Sequence, residues 1–233
     1  MKRWLIIGAS RGLGDAFARG LPVSGDVVWL ASQHHPDVIE ENNGFDMRWI
    51  EVDLNQPQST CDAVAAAIQD EPIDALIYNA GFLGRTSFDE MSSADISKHF
   101  NVNVGAALAI VSMLSNNLAT AQGRIVLISS SAALDNEGST YVAYSAAKAA
   151  LRTASGSMRE LFRPSGVAVT CIVPGSIATD VPFVDGVQKA LDVHNGERIP
   201  VQDVVSLVSC ILNLSPASCV KEVVVPALAD SDI

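Results

Sequence analysis

A tyrosine and a lysine stand four residues apart in a segment with helical character, Tyr144-Ser145-Ala146-Ala147-Lys148. Residues at positions i and i+4 of a helix share one face, so the phenol and the ammonium can address one site. A neighbouring positive charge favours the phenolate and lowers the pKa of a tyrosine from its usual value of about 10. The pair therefore predicts a group that donates and accepts protons near neutral pH. An amphipathic helix with an exposed lysine would show the same spacing, so the pair alone leaves both interpretations open.

A glycine-rich turn near the amino terminus predicts a phosphate-binding site. The segment Gly8-Ala9-Ser10-Arg11-Gly12-Leu13-Gly14 follows the β-rich run Trp4–Ile7 and opens a helical stretch. Glycines at a strand-to-helix turn let the backbone approach a pyrophosphate, which binds at the N-terminus of the helix. A turn that serves packing alone would look similar. The predicted dinucleotide contacts in this turn are Gly8, Ser10, Arg11, Gly12, Leu13 and Gly14.

The residues after the second β-rich run bear on the choice between NAD and NADP. NAD sites place an acidic residue there to bind the ribose hydroxyls, whereas NADP sites lack it and offer donors to the 2′-phosphate. Here Ser32 and Gln33 follow Ala31 with no carboxylate, and His34 is next along the chain. Ser32, Gln33 and Arg11 are therefore predicted to receive a phosphate, which favours NADP(H) over NAD(H). The missing acid also weakens the case for an adenosylmethionine-dependent methyltransferase.

These residues need a scaffold, and the apolar pattern predicts one. Short β-rich runs alternate with helical stretches, which indicates a doubly wound α/β domain of the Rossmann type with about seven parallel strands and helices on both faces. The predicted strands are Trp4–Ile7, Val27–Leu30, Met47–Val52, Ala75–Tyr78, Arg124–Ser129, Val167–Val173 and Val223–Val225. The predicted helices are Leu13–Gly20, Ser59–Gln69, Ala94–Ala119, Tyr141–Leu161 and Val201–Leu212. No break in composition suggests a linker, so residues 1–233 are predicted to form a single domain.

Two stretches do not follow the alternation. Residues 32–45 are polar and are predicted to hold a short helix or a loop. Residues 179–200 contain several prolines and glycines and few periodic signals, so they are predicted to form a substrate loop or lid over the carboxyl edge of the sheet. Apolar residues near this edge suggest a moderately hydrophobic substrate pocket: Leu83, Leu134, Tyr141 and part of Val181–Val187.

The composition excludes several classes of protein. Of the 233 residues, 48% are hydrophobic and 18% are charged, which is too apolar for intrinsic disorder. The net charge of -11 excludes general nucleic-acid binding and a polybasic membrane patch. The four cysteines form no C-x-x-C pair, so we expect reduced, buried thiols and no metal site. With no signal peptide or membrane span in view, the sequence predicts a soluble cytoplasmic protein.

The order of the motifs is more specific than any one of them. After the glycine turn come Asn79-Ala80-Gly81, Ser129-Ser130-Ser131, the Tyr144/Lys148 pair and Pro174-Gly175, each near the end of a predicted strand or in a helix. This set resembles the short-chain dehydrogenase/reductase (SDR) family over residues 2–225. The resemblance implies an NAD(P)-dependent oxidoreductase, here expected to reduce a small-molecule ketone or aldehyde with NADPH. A regulatory or interaction protein of the same fold with vestigial catalysis is the alternative.

The resemblance also implies a catalytic tetrad. Tyr144 would be the proton donor to a carbonyl, and Lys148 would lower the tyrosine pKa and hold the nicotinamide ribose. Ser130 would bind the substrate oxygen, with Ser131 as the competing choice. Asn103 would hold a proton-relay water, and Asn101 is its competitor.

The remaining expectations follow from the same resemblance. The implied cofactor contacts outside the turn and the tetrad are Asp53 and Leu54 at the adenine, Asn79, Ala80 and Gly81 in the groove, and Pro174, Gly175, Ile177 and Thr179 at the nicotinamide and phosphates. The chain departs from the family pattern at Ile7 and Tyr78, where a threonine and an asparagine are usual. The two long helices, Ala94–Ala119 and Tyr141–Leu161, are counterparts of a dimer interface, so a homodimer or homotetramer is implied.

Overall fold

A computed structural model of the protein describes residues 1–39, 44–84, 87–134 and 141–229. Seven strands form one parallel sheet in the order β3-β2-β1-β4-β5-β6-β7. They are β1 (Arg3–Ile7), β2 (Val27–Ser32), β3 (Asp46–Glu51), β4 (Ala75–Tyr78), β5 (Arg124–Ile128), β6 (Ala168–Pro174) and β7 (Glu222–Val225). The predicted fold class is confirmed, because continuous apolar runs mark strands that are covered on both faces.

The helices lie on both faces of the sheet. Within the described residues they are α1 (Gly12–Gly20), α2 (Pro57–Ile68), α3 (Ser93–Phe100), α4 (Ala106–Met113), α5 (Ser115–Ala121), α6 (Val142–Phe162), α7 (Gly186–His194) and α8 (Val201–Leu212). Side chains alternate between the faces along each strand. In β1, Leu5 and Ile7 join the core under α2, α4 and α6, whereas Trp4 and Ile6 join the core under α1 and α8.

The strand order places a crevice between β1 and β4. The chain runs outward from β1 through β2 to β3 and then returns to β4 on the other side of β1. In open α/β sheets, ligands bind at this switch point, outside the carboxyl ends of the strands. The turns that follow β1 and β4 carry Gly8–Gly14 and Asn79–Gly81, so the topology brings these two motifs together.

The predicted single helix Ala94–Ala119 is wrong, because the structure divides it. A capping box between Ser92 and Asp95 starts α3, and a π-helical turn at Asn101–Gly105 separates α3 from α4. The chain bends by 63° at Leu114 before α5 begins. Because Leu114 is buried, the bend keeps both α4 and α5 packed on the core. Apolar periodicity does not report such a break, since the apolar residues continue through it.

The segment Thr179–Pro200, called the cap below, was predicted to be a substrate loop or lid, and no helix was predicted within it. The structure places α7 at Gly186–His194 in this segment. The two ends of the cap are joined by a parallel bridge between Ile177 and Ile199, in which the Ala178 N–H donates to the Ile199 carbonyl at 2.9 Å. The cap is therefore a closed, folded unit rather than an open loop.

Side chains attach the cap to the rest of the domain. Phe183 packs into a notch at Gly20, where an added Cβ would lie 2.8 Å from the phenylalanine Cζ. The Gln202 side-chain amide donates to the Phe183 carbonyl at 2.7 Å. On the outer side, Asp180 accepts a hydrogen bond from His194 at 3.0 Å. The contacts of Phe183 with Gly20 and Gln202 hold the cap against α1 and α8, whereas the pair of Asp180 and His194 lies within the cap.

A buried carboxylate fastens the amino ends of the first two strands. Asp26 is 1% exposed and accepts hydrogen bonds from the backbone N–H groups of Lys2 and Val23 and from Nε1–H of Trp4, at 2.6, 3.0 and 2.9 Å. Burial acts to raise the pKa of Asp26, but these hydrogen bonds outweigh it and hold the pKa below its usual value. The ionised carboxylate is thus part of the fold.

The structure also bears on the predictions for the cysteines, for the polar stretch 32–45 and for membrane-spanning helices. Cys61 and Cys171 are buried as predicted, but Cys210 and Cys219 are exposed, so that prediction is wrong for half of the thiols. Of the polar stretch 32–45, residues 37–39 form one 3-10 turn and residues 40–43 lie outside the described residues. Among the described residues no single helix has the length and apolar composition to cross a bilayer; the bent pair Ser93–Met113 and Ser115–Ala121 meets both criteria only when counted together.

Candidate active site

A cleft of about 890 Å³ opens at the carboxyl edge of the sheet, at the predicted switch point. Most of the residues singled out by the sequence line it: Gly8, Ser10, Arg11, Gly12, Leu13, Ser32, Asp53, Leu54, Asn79, Ala80, Gly81, Ser130, Tyr144, Lys148, Pro174, Gly175, Ile177 and Thr179. Of the predicted site residues, Gly14 and Asn103 do not line the cleft and lie behind its wall. The volume suits an extended ligand of dinucleotide size.

The glycine turn is built from close backbone contacts. Gly8 has a φ of +82°, and an added Cβ there would lie 2.7 Å from the Cα of Ala80. An added Cβ at Gly14 would lie 1.9 Å from the Gly8 carbonyl oxygen, which also accepts a hydrogen bond from the Asn79 side-chain amide at 3.0 Å. Side chains at these positions would separate the β1 and β4 turns. The absence of side chains at these glycines therefore allows the two turns to pack closely and leaves the backbone of the turn exposed at the cleft.

This turn fits the diphosphate of a nicotinamide dinucleotide. Helix α1 begins at Gly12 without a side-chain cap, so its first N–H groups are available at the cleft. Uncapped N–H groups at a helix N-terminus favour a bound anion. Gly8–Gly14 would hold the diphosphate, and the turn after β4 would form the opposite wall.

The charges that line the cleft contrast with those of the whole chain. Among the described residues that line the cleft, three cations, Arg11, Lys98 and Lys148, face one carboxylate, Asp53, although the chain carries a net charge of -11. A cleft with positive charge in an acidic protein attracts anionic ligands. This sign of charge fits a dinucleotide.

At the end of the cleft that is expected to bind adenosine, the polar side chains differ in how many hydrogen bonds they already form within the protein. The Ser32 hydroxyl donates to the His34 carbonyl at 2.7 Å, so it retains only acceptor capacity. Asp53 accepts a hydrogen bond from the Asn55 N–H at 3.0 Å. No described residue forms a hydrogen bond or an ion pair with the guanidinium of Arg11, which is exposed at the cleft. Arg11 is the strongest candidate at this end for a phosphate contact.

Two serines meet α6 at the other end of the cleft. The side chain of Ser130 is hydrogen-bonded to Tyr144, and its hydroxyl oxygen accepts from the Ala132 N–H at 3.2 Å. Ser129 instead donates to the Lys148 carbonyl at 3.0 Å and so fixes the helix. Ser131 also lines the cleft and begins a short 3-10 turn. The geometry supports Ser130 as the serine that would share a substrate oxygen with Tyr144.

The pKa values of the tyrosine and the lysine are set by burial. Lys148 is 2% exposed and donates from Nζ to the Ile128 carbonyl at 2.8 Å, and burial lowers its pKa to about 8. Burial raises the pKa of Tyr144, and the hydrogen bond from Ser130 opposes only part of that rise. The expected lowering by Lys148 is therefore wrong for this arrangement, in which the Lys148 ammonium lies 5.8 Å from the centre of the phenol ring. Tyr144 is a protonated phenol at neutral pH.

Both N–H donors of the Asn103 side-chain amide are used within the protein, and its oxygen accepts one hydrogen bond. Its amide nitrogen donates to the carbonyls of Phe82 and His99 at 2.8 and 3.0 Å, and its oxygen accepts from the Phe82 N–H at 3.0 Å. An added Cβ at Gly81 would lie 3.5 Å from this oxygen and 3.4 Å from Nζ of Lys148. Asn103 therefore fixes the chain after Gly81 beside Lys148. Its competitor Asn101 donates to the Asn55 carbonyl at 3.2 Å.

Sequence reasoning missed several residues of this wall. Phe82 and Lys98 line the cleft, and His99 packs against Phe82 with ring centres 4.9 Å apart. Phe82 could have been predicted as a site residue because it directly follows Asn79-Ala80-Gly81. Lys98 belongs to no motif that the sequence analysis identified. Among the predicted pocket residues, Leu83 and Tyr141 line the cleft, whereas Val181 is buried within the cap.

Comparison with known proteins agrees with this site. Residues 2–184 match the family model described as short chain dehydrogenase. The chain belongs to this family. It is 33% identical over 191 residues to an uncharacterized oxidoreductase, YbbO, of Escherichia coli, which covers 81% of this chain and 70% of that protein. It is also 29% identical over 187 residues to gluconate 5-dehydrogenase of Gluconobacter oxydans, covering 77% and 72%.

Solved structures of this family share the fold. L-sorbose reductase from Gluconobacter frateurii, complexed with NADPH and L-sorbose, superposes with a TM-score of 0.81 at 20% identity, covering 97% of this chain and 95% of the other. An alcohol dehydrogenase from Thermococcus sibiricus, complexed with 5-hydroxy-NADP, gives 0.80 at 19% identity, covering 98% and 97%. This member of the short-chain dehydrogenase family is an NAD(P)-dependent oxidoreductase that acts on CH–OH or C=O groups.

Proposed function

We propose that the protein is an NADPH-dependent reductase of a ketone or aldehyde. The observation that supports this most directly is the group of Ser130, Tyr144 and Lys148 at one end of a cleft whose other end carries the glycine turn and Arg11. A bound nicotinamide dinucleotide would supply the hydride. The protein would orient the carbonyl and supply the proton.

The protonation of Tyr144 supports the reductive direction. Because burial raises its pKa, the phenol carries a proton at neutral pH and can donate it to the carbonyl oxygen as that oxygen gains negative charge. Ser130, hydrogen-bonded to Tyr144, would donate a hydrogen bond to the same oxygen, without transferring its proton, and so stabilise the developing charge. Lys148, with a pKa of about 8, lies close to neutrality and would help to restore the phenol proton.

The role of Tyr144 is tested by replacing the phenol. Tyr144→Phe removes the proton donor and keeps the ring, so we expect kcat to fall by about 10²–10⁴-fold while NADPH affinity stays within about twofold. Turnover is followed at the reduced-nicotinamide absorbance and binding by NADPH fluorescence. Tyr141→Phe, at another tyrosine of the cleft, is the matched variant and should change KM at most. Unchanged kcat in Tyr144→Phe would overturn the proposal, and tight NADPH binding by the wild type without turnover of any carbonyl would favour a regulatory module.

The preference for NADPH is a separate part of the proposal. No carboxylate directly follows β2. The guanidinium of Arg11 forms no hydrogen bond or ion pair with a described residue, so it would be available to the 2′-phosphate. Arg11→Ala should raise the KM for NADPH by roughly 10-fold or more and leave the KM for NADH nearly unchanged, since charge-assisted hydrogen bonds of this kind are strong. Equal efficiency of the wild type with both cofactors would contradict the preference.

Substrates, assembly and location are proposed from the family. Relatives are named for gluconate, 2-dehydro-3-deoxy-D-gluconate and L-sorbose, so the carbonyl panel should include ketoses and oxidised sugar acids. We propose a cytoplasmic homodimer or homotetramer that associates through the α3–α5 region and α6. Light scattering coupled to size exclusion tests the assembly, and a monomer at micromolar concentration would contradict it.

A further inference from the structure

One cation of the cleft has no role in the chemistry proposed above. Lys98 lies on α3 and lines the cleft, with Nζ 4.4 Å from the centre of the Phe82 ring. No carboxylate of the described residues forms an ion pair with it. Asp95, one turn earlier, is engaged in the capping box with Ser92. Lys98 thus presents, over an aromatic ring, a charge that no carboxylate of the described residues neutralises.

The chain after β4 relates Lys98 to the two ends of the cleft. Ala80 contacts the glycine turn at Gly8, and the next residue, Gly81, lies beside the ammonium of Lys148. Phe82 follows, fixed through its backbone by Asn103, and carries Lys98 over its ring. The path therefore leads from the diphosphate site to the catalytic lysine and then to Lys98. Lys98 therefore lies over the ring of the residue that directly follows Gly81, the neighbour of Lys148.

The anionic groups of a dinucleotide already have partners elsewhere. The diphosphate fits the N–H groups at the start of α1, and a 2′-phosphate fits Arg11 near the end of β2. Both sites lie on the β1–β2 side of the cleft, whereas Lys98 comes from the wall that follows β4. A cation on that wall remains available to a second anion that shares the cleft with the cofactor.

We propose that Lys98 is a specificity-determining residue that binds a carboxylate or phosphate group of the carbonyl substrate. This inference rests on the proposed function and names the substrate class of the same site. A lysine ammonium pairs with either anion as a point charge without a fixed geometry. The Phe82 ring limits where the ammonium can lie, so the anion would be held at a set distance from the reacting carbonyl.

The test compares anionic substrates with neutral partners of the same carbon skeleton. An oxo acid series with the carboxylate two to five bonds from the carbonyl is set against the methyl esters, and ketose phosphates against the free ketoses, all with saturating NADPH. The wild type should prefer the anion in its best pair by about 10-fold or more in kcat/KM. The preference should fall with ionic strength, because salt screens a partly exposed charge pair.

The variants assign that preference to one side chain. Lys98→Met keeps the length of the chain and should raise the KM for the anion about 10-fold, with kcat and the neutral ester little changed. Lys98→Arg should retain most of the preference. Lys189→Met, at an exposed lysine of α7 outside the cleft, changes the net charge equally and should leave the preference intact.

The outcomes separate this inference from the proposed function. Turnover of neutral ketones without any preference for anions, or an unchanged preference in Lys98→Met, would overturn the role of Lys98 and leave the reductase intact. A raised Kd for NADPH in Lys98→Met with substrate preference retained would assign the lysine to the cofactor and also overturn it. If no carbonyl is reduced, the proposed function fails, and calorimetry of succinate binding to the NADPH complex still tests Lys98: equal affinity in wild type and Lys98→Met would refute anion binding.

Discussion

The glycine turn and the cap are held in place by different kinds of contact. At the glycine turn, backbone meets backbone, and an added Cβ at Gly14 would lie 1.9 Å from a carbonyl oxygen. The cap, Thr179–Pro200, is attached by side chains, since Phe183 enters the notch at Gly20 and the Gln202 side-chain amide donates to the Phe183 carbonyl. Backbone contacts cannot relax without moving a strand, whereas side chains can rotate. We therefore expect Gly8 and Gly14 of the turn to tolerate no substitution and the cap to tolerate many.

The largest effect that this comparison predicts is at Gly14. A methyl group there would push the Gly8 carbonyl and the start of α1 apart, so Gly14→Ala should lose NADPH binding by 100-fold or more and lower stability by about 1–3 kcal/mol. Gly156→Ala in α6 is the matched control, because an added Cβ there meets nothing within 4 Å. It should raise stability by about 0.5–1 kcal/mol through helix propensity. Urea unfolding and NADPH titration measure both, and a Gly14→Ala protein with normal NADPH affinity would break the comparison.

A second effect contrasts a buried carboxylate of the sheet with an exposed one of the cap. Both Asp26 and Asp180 have a pKa below the usual value, Asp26 because three hydrogen bonds outweigh burial and Asp180 through its own backbone N–H and through His194 and Arg198. A carboxylate with a lowered pKa stabilises the fold above its unfolded-state value near 3.8 and loses that contribution as the pH falls below it.

Only the buried carboxylate should matter for stability. Asp26→Ala leaves three donors without their partner and should cost a few kcal/mol near pH 7, at about 1–3 kcal/mol for each unpaired buried group. Asp26→Ala should also flatten the loss of stability on acidification below about pH 4. Asp180→Ala should leave both the free energy of unfolding and its pH dependence unchanged, because its ion pairs are solvated and screened. Equal losses in the two variants, measured by urea unfolding from pH 3 to 7, would argue against the contrast.

The smallest effect is expected where the cap meets α1. An added Cβ at Gly20 would lie 2.7 Å from Cγ1 of Val205 and 2.8 Å from Cζ of Phe183, and both are side-chain atoms that can move. Gly20→Ala should therefore shift the cap slightly, changing the KM for substrate by roughly 2–5-fold with NADPH affinity unchanged. This expectation is tested by steady-state kinetics in which the concentrations of substrate and NADPH are both varied. A change in NADPH affinity larger than the change in substrate KM would show that the glycine turn and the cap are coupled.

The success of the sequence-based predictions depended on the range of the interactions behind each feature. All seven strands lie within two residues of their predicted bounds. The five inner strands are short apolar runs covered on both faces, whereas the edge strands β3 and β7 are partly exposed. Helix α8 matches its prediction, Val201–Leu212, since one apolar face marks its whole length. The break at Leu114 and the helix α7 were not predicted. In both places local pattern is a poor guide, since Leu114 is apolar within an apolar run and α7 starts at a glycine.

In the candidate active site, too, the features that depend on local sequence were predicted and those that depend on long-range contacts were not. The sequence indicated the glycine turn, the Tyr144/Lys148 pair and their order along the chain, and left Ser130 and Ser131 as alternatives. It did not indicate that the amide of Asn103 is hydrogen-bonded to Phe82 and His99, nor that Lys98 lines the cleft. Those contacts join turns and helices whose proximity depends on how the strands are ordered in the sheet.

The sequence by itself determined the alternation of strands and helices and the ordered motifs that mark this family, because apolar periodicity and glycine-rich turns act over a few residues. Only the tertiary structure decided the direction in which the pKa values of the two groups proposed to move protons are shifted. The pKa of Tyr144 is raised and that of Lys148 is lowered to about 8 because β4, β5, β6 and α6 together remove them from water. Desolvation sums contacts from distant parts of the chain, and no local spacing encodes that sum.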